Sequence, residues 1–331
     1  MASLSAVLAG RNVGAKFRPR LSLAWSSALI AALAAPPLSQ TARAHGIAGN
    51  RYFPGTLTFD DPAVADEAIV PNFSRWDHPA AGGDATDNRI NWSFTRLLTP
   101  TVGFFVDGSW MDRNWGPSHR AGFDVTTLGV KWEVYRDNPG EALISASLAW
   151  GIGHSGAQGI AADAPDTIKP GLFFGKGFGD LPDSVSWLRP FAITGAFVLE
   201  HPAGSVSRNF GIDPVSGQLA PMPTTNVDIL HWGFAVEFST LYLTNRFTGG
   251  PPKEEPFNQL VPLVEFAFDS SKGTKSIATM NPGLSYVAVT RQIAVEAIVP
   301  LNSVSGHTIG GRPNCCCSST ISFLPCSASR C

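Results

Sequence analysis

Cysteine is absent from the first 314 residues, and all five cysteines of the 331-residue chain fall between Cys315 and Cys331. Disulfides and zinc sites built from cysteine are therefore excluded from the main body of the protein. Charged residues are also scarce, at 15%, against about 25% in an average soluble protein. A net charge of -2 provides no strong field, so nucleic acid is not an expected partner.

Long apolar runs are missing as well: no segment offers the roughly 20 apolar residues of a membrane-spanning helix. The first 44 residues have the features of an export signal. Basic residues precede a short apolar stretch at residues 21–35, and "ARA" at residues 42–44 is a small-x-small cleavage site. We predict a signal peptide over residues 1–44, cleaved before His45, and a mature protein outside the cytoplasm.

The mature sequence is dominated by period-two alternation, which indicates β-strands. In "TTLGVKWEVY", Val130 and Trp132 alternate with Lys131 and Glu133, and "DILHWGFAVEFS" repeats the pattern with Glu237 on the polar side. About ten such segments follow one another, each roughly nine to twelve residues long, which is the length that crosses a membrane when tilted. Soluble sheets usually have shorter strands.

These strands could form a β-sandwich or a closed barrel, because both allow charges on one strand face. Strand length, small residues on the polar faces, and a rhythm of short and long connections favour the barrel. We predict an all-β fold, an antiparallel transmembrane β-barrel of about 10–12 strands after a cleaved signal peptide. The expected divisions are a signal peptide (1–44), an N-terminal extended segment (45–88), the barrel (89–313) and an aberrant tail (314–331).

The order of the segments adds a resemblance. A signal peptide, then "AHGIAGNRYFPGTLTFDDPAVADE", then alternating strands resembles a group of uncharacterised proteobacterial outer-membrane β-barrel proteins that are porin-like or transporter-like. The resemblance covers most of the mature chain, and its most specific part is the segment from His45 to Glu67. It implies an outer-membrane location with lipid as the surrounding partner, and no particular substrate or catalytic residue.

The polar strand faces supply the candidate functional residues, because a barrel lumen lined by charges selects among small solutes. A channel, transporter or binding barrel for a small solute is the predicted function. No nucleophile elbow, phosphate loop or dinucleotide fingerprint is present, so we predict no enzyme activity and no cofactor. The predicted lumen-lining residues are Lys131, Glu133, His231, Glu237, Glu265 and Glu296.

The alternative is a secreted or periplasmic β-sandwich that binds copper through the mature N-terminus. The amine and imidazole of His45 would form a bidentate site, with His78 or His119 as the second histidine. A separate acidic cluster, Asp60, Asp61, Asp66 and Glu67, has the oxygen ligands of a calcium site. We expect that cluster to lie in a solvated N-terminal segment instead.

The cysteine-rich tail fits neither a zinc site nor a disulfide framework. A barrel needs a closing strand after residue 299, because an open sheet edge is not viable in lipid, and the tail as written is a poor one. Asparagine and cysteine codons end in a pyrimidine, so a two-base shift at Asn314 turns Cys315 to Cys317 into leucines. We therefore hypothesise a frameshift near residues 312–314, which resequencing of the DNA would test.

Overall fold

A computed structural model describes residues 46–49, 51–80, 83–115, 118–160, 165–212, 216, 219–240, 242, 260–288 and 291–317. The predicted signal peptide, His45 and residues 318–331 lie outside this set. The strands are β1 (Gly46–Ala48), β2 (Arg51–Phe53), β3 (Glu67–Ala80), β4 (Gly83–Thr99), β5 (Val102–Trp115), β6 (Ser118–Phe123), β7 (Thr127–Asp137), β8 (Ala142–Gly151), β9 (Thr167–Gly177), β10 (Phe191–Pro202), β11 (Val206–Ile212), β12 (Leu219–Thr225), β13 (Ile229–Phe238), β14 (Leu260–Ser271), β15 (Ile277–Ala288), β16 (Arg291–Pro300) and β17 (Gly310–Cys317). Two short 3-10 helices span Gln158–Ile160 and Asp183–Leu188.

One antiparallel sheet closes on itself to form a barrel. Its order runs β4-β3-β17-β16-β15-β14-β13-β10-β9-β8-β7-β5, and the pairing of β4 with β5 completes the ring. Strands β6 and β7 share one position, because β6 pairs with the second half of β5 and β7 with the first half. The barrel therefore has twelve strand positions, which confirms the predicted fold class. The β-sandwich alternative is wrong, because a sandwich consists of two sheets with open edges.

The alternation of the sequence sets which side of each strand faces inward. In β7 the side chains of Lys131 and Glu133 are buried, whereas Val130 and Trp132 between them are exposed. The same parity holds in β8, where Leu143 and Ser145 are buried and Leu148 is exposed. The exterior of the barrel is therefore apolar and the interior holds the polar side chains. Within the described residues, no helix is long and apolar enough to cross a membrane.

The exposed large apolar side chains of the strands include Val70, Phe73, Val130, Trp132, Val134, Tyr135, Ile144, Leu148, Trp150, Ile168, Leu172, Phe197, Leu199, Val236, Leu284, Ile293 and Val295. They come from strands all round the ring rather than from one patch.

The barrel begins earlier and ends later than the sequence predicted. Strand β3 and the first residues of β4 fall in the range 45–88, which was expected to be an extended segment. Alternation is weak there because Pro71, Asn72 and a register shift interrupt it, so the periodicity did not reveal a strand.

The closing strand forms in the reading frame as written. Strand β17 pairs with β16 on one side and with β3 on the other, and Cys315 lies opposite Ile293 in the first of these ladders. Residues 314–317 therefore belong to the barrel and not to an aberrant tail. The sequence as written therefore supplies the backbone of a closing strand up to residue 317, because backbone pairing does not require apolar side chains at every position. The frameshift itself stays a hypothesis.

The two ends of the barrel differ. At one end, which we call the turn end, tight connections join β4 to β5, β7 to β8, and β15 to β16. The connection between β13 and β14 is also at the turn end. At the opposite end, the loop end, the connections include residues 152–166 and a hairpin of β11 with β12.

Candidate functional site in the barrel lumen

Residues 51–66, which we call the lumen segment, lie inside the barrel. The segment starts at the turn end, where the β1–β2 hairpin is fixed by a hydrogen bond from Gly49 N to Asn138 Oδ1. It also finishes there, where Asp66 Oδ1 accepts a hydrogen bond from Leu97 N at 2.7 Å. Between these points the chain rises into the lumen and returns. Pro54 and Pro62 keep most of it out of regular strand pairing, since proline has no N–H to donate.

Arg51 anchors the beginning of the lumen segment. Its guanidinium donates to Glu141 Oε2 at 3.3 Å, to the carbonyl oxygen of Pro190 at 3.0 Å and to that of Arg189. It also lies over the ring of Tyr242, 4.1 Å from its centroid. Arg51 and Glu141 are both almost fully buried. A buried charge with this many partners holds the segment to three different connections at the turn end.

The middle of the lumen segment bonds to inward-facing side chains of strands β14 to β17. Gln292 Nε2 donates to the carbonyl oxygen of Gly55 at 2.7 Å, and Arg312 Nη1 donates to that of Leu57 at 2.6 Å. Thr58 Oγ1 donates to Glu265 Oε2 and accepts a hydrogen bond from Asn281 Nδ2 at 3.0 Å. Strands β14 to β17 therefore contribute side chains to one continuous interface with this segment.

The second half of the lumen segment, which returns to the turn end, bonds to side chains of strands β7 and β8. Lys131 Nζ lies 2.7 Å from Asp60 Oδ2 and also donates to the carbonyl oxygen of Asp61. Ser145 Oγ donates to the carbonyl oxygen of Pro62. Lys131 and Ser145 are buried, whereas the Asp60 side chain is 42% exposed. Strands β7 and β8 hold this half as strands β14 to β17 hold the middle.

An apolar contact accompanies the polar ones. Phe53 and Ala63 of the lumen segment form a buried cluster with Leu143 of β8 and Ala192 of β10. Gly175 leaves room for it, because a Cβ at that position would lie 2.9 Å from Pro62 Cγ and 3.2 Å from the ring of Phe53. The small residues on the inward strand faces thus admit the segment.

Asp61 of the lumen segment has a buried carboxyl group with a raised pKa. It is 3% exposed, its Oδ1 accepts from Ala63 N at 2.9 Å, and its Oδ2 has no hydrogen-bond partner among the described residues. Burial raises the pKa of Asp61 from 3.8 to about 7, against the opposing effect of Lys131, which is 3.7 Å away. Burial disfavours the ionised carboxyl.

The six predicted lumen-lining residues all have the inward parity of their strands, but the structure brings only some of them to the lumen segment. Lys131 and Glu265 bond to it directly. Glu237 accepts instead from Thr194 Oγ1 at 2.8 Å, and Glu133 pairs with Arg136. Their role in selecting a solute stays a prediction.

The two remaining residues of that set differ in exposure. Glu296 is 3% exposed, and both of its carboxylate oxygens lack a hydrogen-bond partner within the described part of the chain. His231 is more open and lies between Asp269, at 2.7 Å, and Glu200, at 3.4 Å.

The acidic cluster was expected to be solvated and two histidines were considered as copper ligands, but the structure places these side chains in other contacts. Asp61 is buried and Asp66 pairs with Arg96, so the N-terminal segment is not simply solvated. His78 bonds to Asp87 at 3.1 Å and His119 to Asp112 at 3.0 Å. The proposed copper ligand His45 lies outside the described residues. Among the described residues, no group of three or more His, Cys, Asp or Glu side chains is arranged to hold a metal ion.

A cavity of about 370 Å³ remains between the lumen segment and the wall formed by β17, β3, β4 and β5. Residues 56–60 form its floor, and polar side chains of the four strands form its side. At the loop end, Ile160 packs against Met111, and Arg113 donates to the carbonyl oxygen of Ile160 at 3.1 Å. The described residues 152–160 of the connection between β8 and β9 are therefore held against β5 through Ile160.

Sequence reasoning identified the wall charges and missed the lumen segment. Its stretch has no periodicity, so it was expected to be extended and solvated. The available signal was complementarity. The two adjacent carboxylates and several apolar residues at 51–66 complement a predicted lumen that contains Lys131 and many small residues.

The geometry defines a class, a closed antiparallel β-barrel that contains its own N-terminal segment. No protein-family model matches the chain, and no curated protein matches it. Solved structures similar in fold include an outer membrane channel from Pseudomonas putida F1, with 9% identity, a TM-score of 0.48, and coverage of 81% of this chain and 100% of that one.

Two further similar structures are an autotransporter domain and a porin. The beta domain of the Bordetella autotransporter BrkA has 13% identity and a TM-score of 0.44, covering 76% of this chain and 99% of its own. The KdgM porin in complex with disordered oligogalacturonate has 11% identity and a TM-score of 0.39, with the same coverage. At such values these likenesses identify no solute for this chain.

Proposed function

We propose that the protein is a bacterial outer-membrane β-barrel that acts as a channel or transporter for a small solute, without enzymatic activity. The observation that carries the proposal is a closed barrel, apolar outside and charged inside, whose lumen is occupied by its own residues 51–66. In this proposal the lumen segment narrows the path and has to move, wholly or in part, for a solute to pass.

The exterior of the barrel supports residence in a membrane. Side chains such as Trp132, Leu148 and Val295 are about half exposed or more, and similar residues surround the ring. A soluble protein rarely exposes so large a continuous apolar surface, whereas a lipid-facing barrel requires one. The signal peptide predicted at residues 1–44 agrees with export to the outer membrane.

The interior of the barrel supports the proposal that a solute passes through it. Twelve strands lie between small filled barrels and wide porins, so the contents of the lumen determine whether solute passes. The contacts of the lumen segment are hydrogen bonds, ion pairs and one small apolar cluster, all of which can be broken without disturbing a barrel strand. Both ends of the segment are at the turn end, so it can withdraw while β3 stays in place.

The test combines location and conductance. The expressed chain is expected in the outer-membrane fraction with heat-modifiable gel migration, and it should conduct weakly in a planar bilayer. Removal of residues 46–64 should raise the conductance about twofold or more, because it enlarges the open cross-section of the lumen. The matched control removes the hairpin at residues 206–225, whose flanking residues Ser205 and Asn226 are already hydrogen-bonded neighbours at 2.9 Å.

Three results would count against the proposal. A soluble chain would contradict membrane residence. A membrane-inserted chain that does not conduct in either the full-length or the shortened form would contradict passage. Equal conductance increases in the shortened form and in the hairpin control would contradict the role of the lumen segment.

A further inference from the structure

Two buried carboxyl groups of the barrel wall meet next to the lumen segment. They belong to Glu265 of β14, which is 0% exposed, and Glu296 of β16, which is 3% exposed, and we call them the acid pair. Strand β15 lies between them and presents Asn281 opposite Glu265 and Gly283 opposite Glu296. A Cβ at Gly283 would overlap Glu296 Cγ, so the Glu296 side chain lies across this glycine. Its carboxyl comes within hydrogen-bonding distance of the Glu265 carboxyl.

The two carboxyls of the acid pair differ in the donors that they receive. Glu265 accepts a hydrogen bond from Thr58 Oγ1 and longer ones from Thr58 N and Asn281 Nδ2, both at 3.4 Å. Glu296 has the backbone N–H of Leu57 nearby, but neither of its oxygens has a hydrogen-bond partner among the described residues. A buried, ionised carboxylate without a donor is costly. The environment therefore suits an ionised Glu265 and does not suit an ionised Glu296.

The cation that faces the acid pair does not bond to Glu296. Arg312 of β17 lies opposite Glu296 in the ladder, but it donates to the carbonyl oxygen of Leu57 and to Thr58 Oγ1. One guanidinium therefore faces two carboxyls. A third buried carboxyl, that of Glu237 on β13, lies close enough to add to the negative charge around the pair.

Other charged groups around the acid pair are bonded elsewhere. Arg51 acts on Glu237 but is hydrogen-bonded at the turn end. Asp61 of the lumen segment lies beside Lys131, and Arg89 of β4 is ion-paired with two aspartates. Among the described residues, no cation therefore bonds to the unpartnered carboxyl of the acid pair.

We propose that Glu296 carries a bound proton at neutral pH, that it donates a hydrogen bond to Glu265, and that this proton keeps the lumen segment docked. A protonated carboxyl has one donor, which gives Glu296 a partner and leaves the negative charge on Glu265, where Thr58 and Asn281 donate to it. The inference deepens the proposed function, on which its regulatory part rests, because it names the proton as the regulator of the lumen segment.

Loss of the proton acts directly on the docked segment. It places a second negative charge beside Glu265, and like charges at this distance destabilise each other. Water has to enter to solvate both carboxylates, and Leu57 and Thr58 of the lumen segment occupy that space. The docked state therefore holds a proton that the open lumen releases, so docking weakens as the pH rises.

The test for the proton is infrared spectroscopy of the full-length protein in lipid vesicles at pH 8, in the region of the C=O stretch of a protonated carboxylic acid. Exposed glutamates, with an ordinary pKa of about 4.3, are ionised there, and Asp61, with a pKa of about 7, is mostly ionised as well. We expect a band that E296Q lacks, since a glutamine amide donates to Glu265 without a titrating proton. E265Q should lose the same band, because its amide gives Glu296 a donor.

The matched control is E133Q, which removes a buried carboxyl that is ion-paired with Arg136 at 2.5 Å. It should keep the band at full intensity. Heat-modifiable migration checks that each variant is folded. The inference is overturned by absence of the band in the unaltered protein, by an unchanged band in E296Q and E265Q, or by an equal loss in E133Q.

The regulatory part is tested by trypsin cleavage after the buried Arg51, measured relative to cleavage after the exposed Lys272 so that the pH dependence of the protease cancels. As the pH rises above 8 and the band disappears, relative cleavage should increase about tenfold or more, as expected for loss of a charged hydrogen bond. E296Q should show little increase, and equal increases in E296Q and the unaltered protein would overturn the role of the proton. Neither measurement depends on conductance, so the channel proposal stands or fails separately.

Discussion

Lys131 Nζ of β7 and Asp60 Oδ2 of the lumen segment are 2.7 Å apart, and the lysine side chain is 2% exposed. One inward-facing lysine therefore joins the wall of the barrel to the chain that occupies its lumen. Lys131 also contacts Asp61, whose carboxyl is almost fully buried. Lys131 is therefore one of the wall residues that hold the lumen segment in place.

Substitution of Lys131 by methionine should release the lumen segment. The change removes the cation that bonds Asp60 and lies beside the buried Asp61, and loss of a charged hydrogen bond costs about 1.5–3 kcal/mol. Arg51 is 2% exposed in the docked segment, so trypsin cleavage after Arg51, read by mass spectrometry, reports undocking. We expect rapid cleavage in K131M and slow cleavage in the unaltered protein.

The control for this experiment is K272M, which removes the same charge from an exposed turn between β14 and β15. It should leave cleavage after Arg51 unchanged. If trypsin cleaves after Arg51 as slowly in K131M as in the unaltered protein, Lys131 does not hold the lumen segment.

Substitution of Gly175 by valine should displace the same segment by crowding. A Cβ at residue 175 would already lie 2.9 Å from Pro62 and 3.2 Å from Phe53, and valine adds two further carbons. Overpacking of this kind costs about 1–3 kcal/mol. We expect higher bilayer conductance in G175V. The control is G311V, because a Cβ at residue 311 would meet open space. An equal increase in conductance in G311V would contradict the crowding explanation.

Docking of the lumen segment should weaken as the pH rises. Burial raises the pKa of Asp61 to about 7 in the docked segment, from 3.8. A released carboxyl is solvated, so the docked state binds more protons between about pH 4 and 7. Docking therefore loses at most about 1.4 kcal/mol for each pH unit in that window. Conductance should rise from pH 4.5 to pH 8.

Asp61→Asn removes the titrating group and keeps the shape of the side chain. Its conductance should vary much less over the same pH range. A pH profile in D61N identical to that of the unaltered protein would assign the dependence to other groups, and conductance that falls with rising pH would contradict the sign of the effect.

The barrel could be predicted from the sequence because the alternation of apolar and polar residues recurs in strand after strand. Residues such as Trp132 and Lys131 alternate by the geometry of one strand, independently of any distant partner. The lumen segment has no such local signal. Asp60 and Lys131 are 71 residues apart, and only closure of the ring brings them together. Strand β3 was missed because Pro71 and a register shift interrupt its alternation.

The lipid-facing side of the barrel offers a test independent of the lumen. Leu148 lies well inside β8, is 59% exposed, and faces outward between Val130 and Pro170. Arginine at the middle of a membrane barrel costs about 2–4 kcal/mol, and the cost falls to about 0–1 kcal/mol near the interfaces. L148R should therefore lower the free energy of unfolding in lipid vesicles by that larger amount, as measured by urea titration. Leu301 is similarly exposed but follows β16 at the loop end, so L301R should cost far less. Equal costs for the two variants would mean that Leu148 does not face lipid, and the orientation of the strands in the membrane would have to be revised.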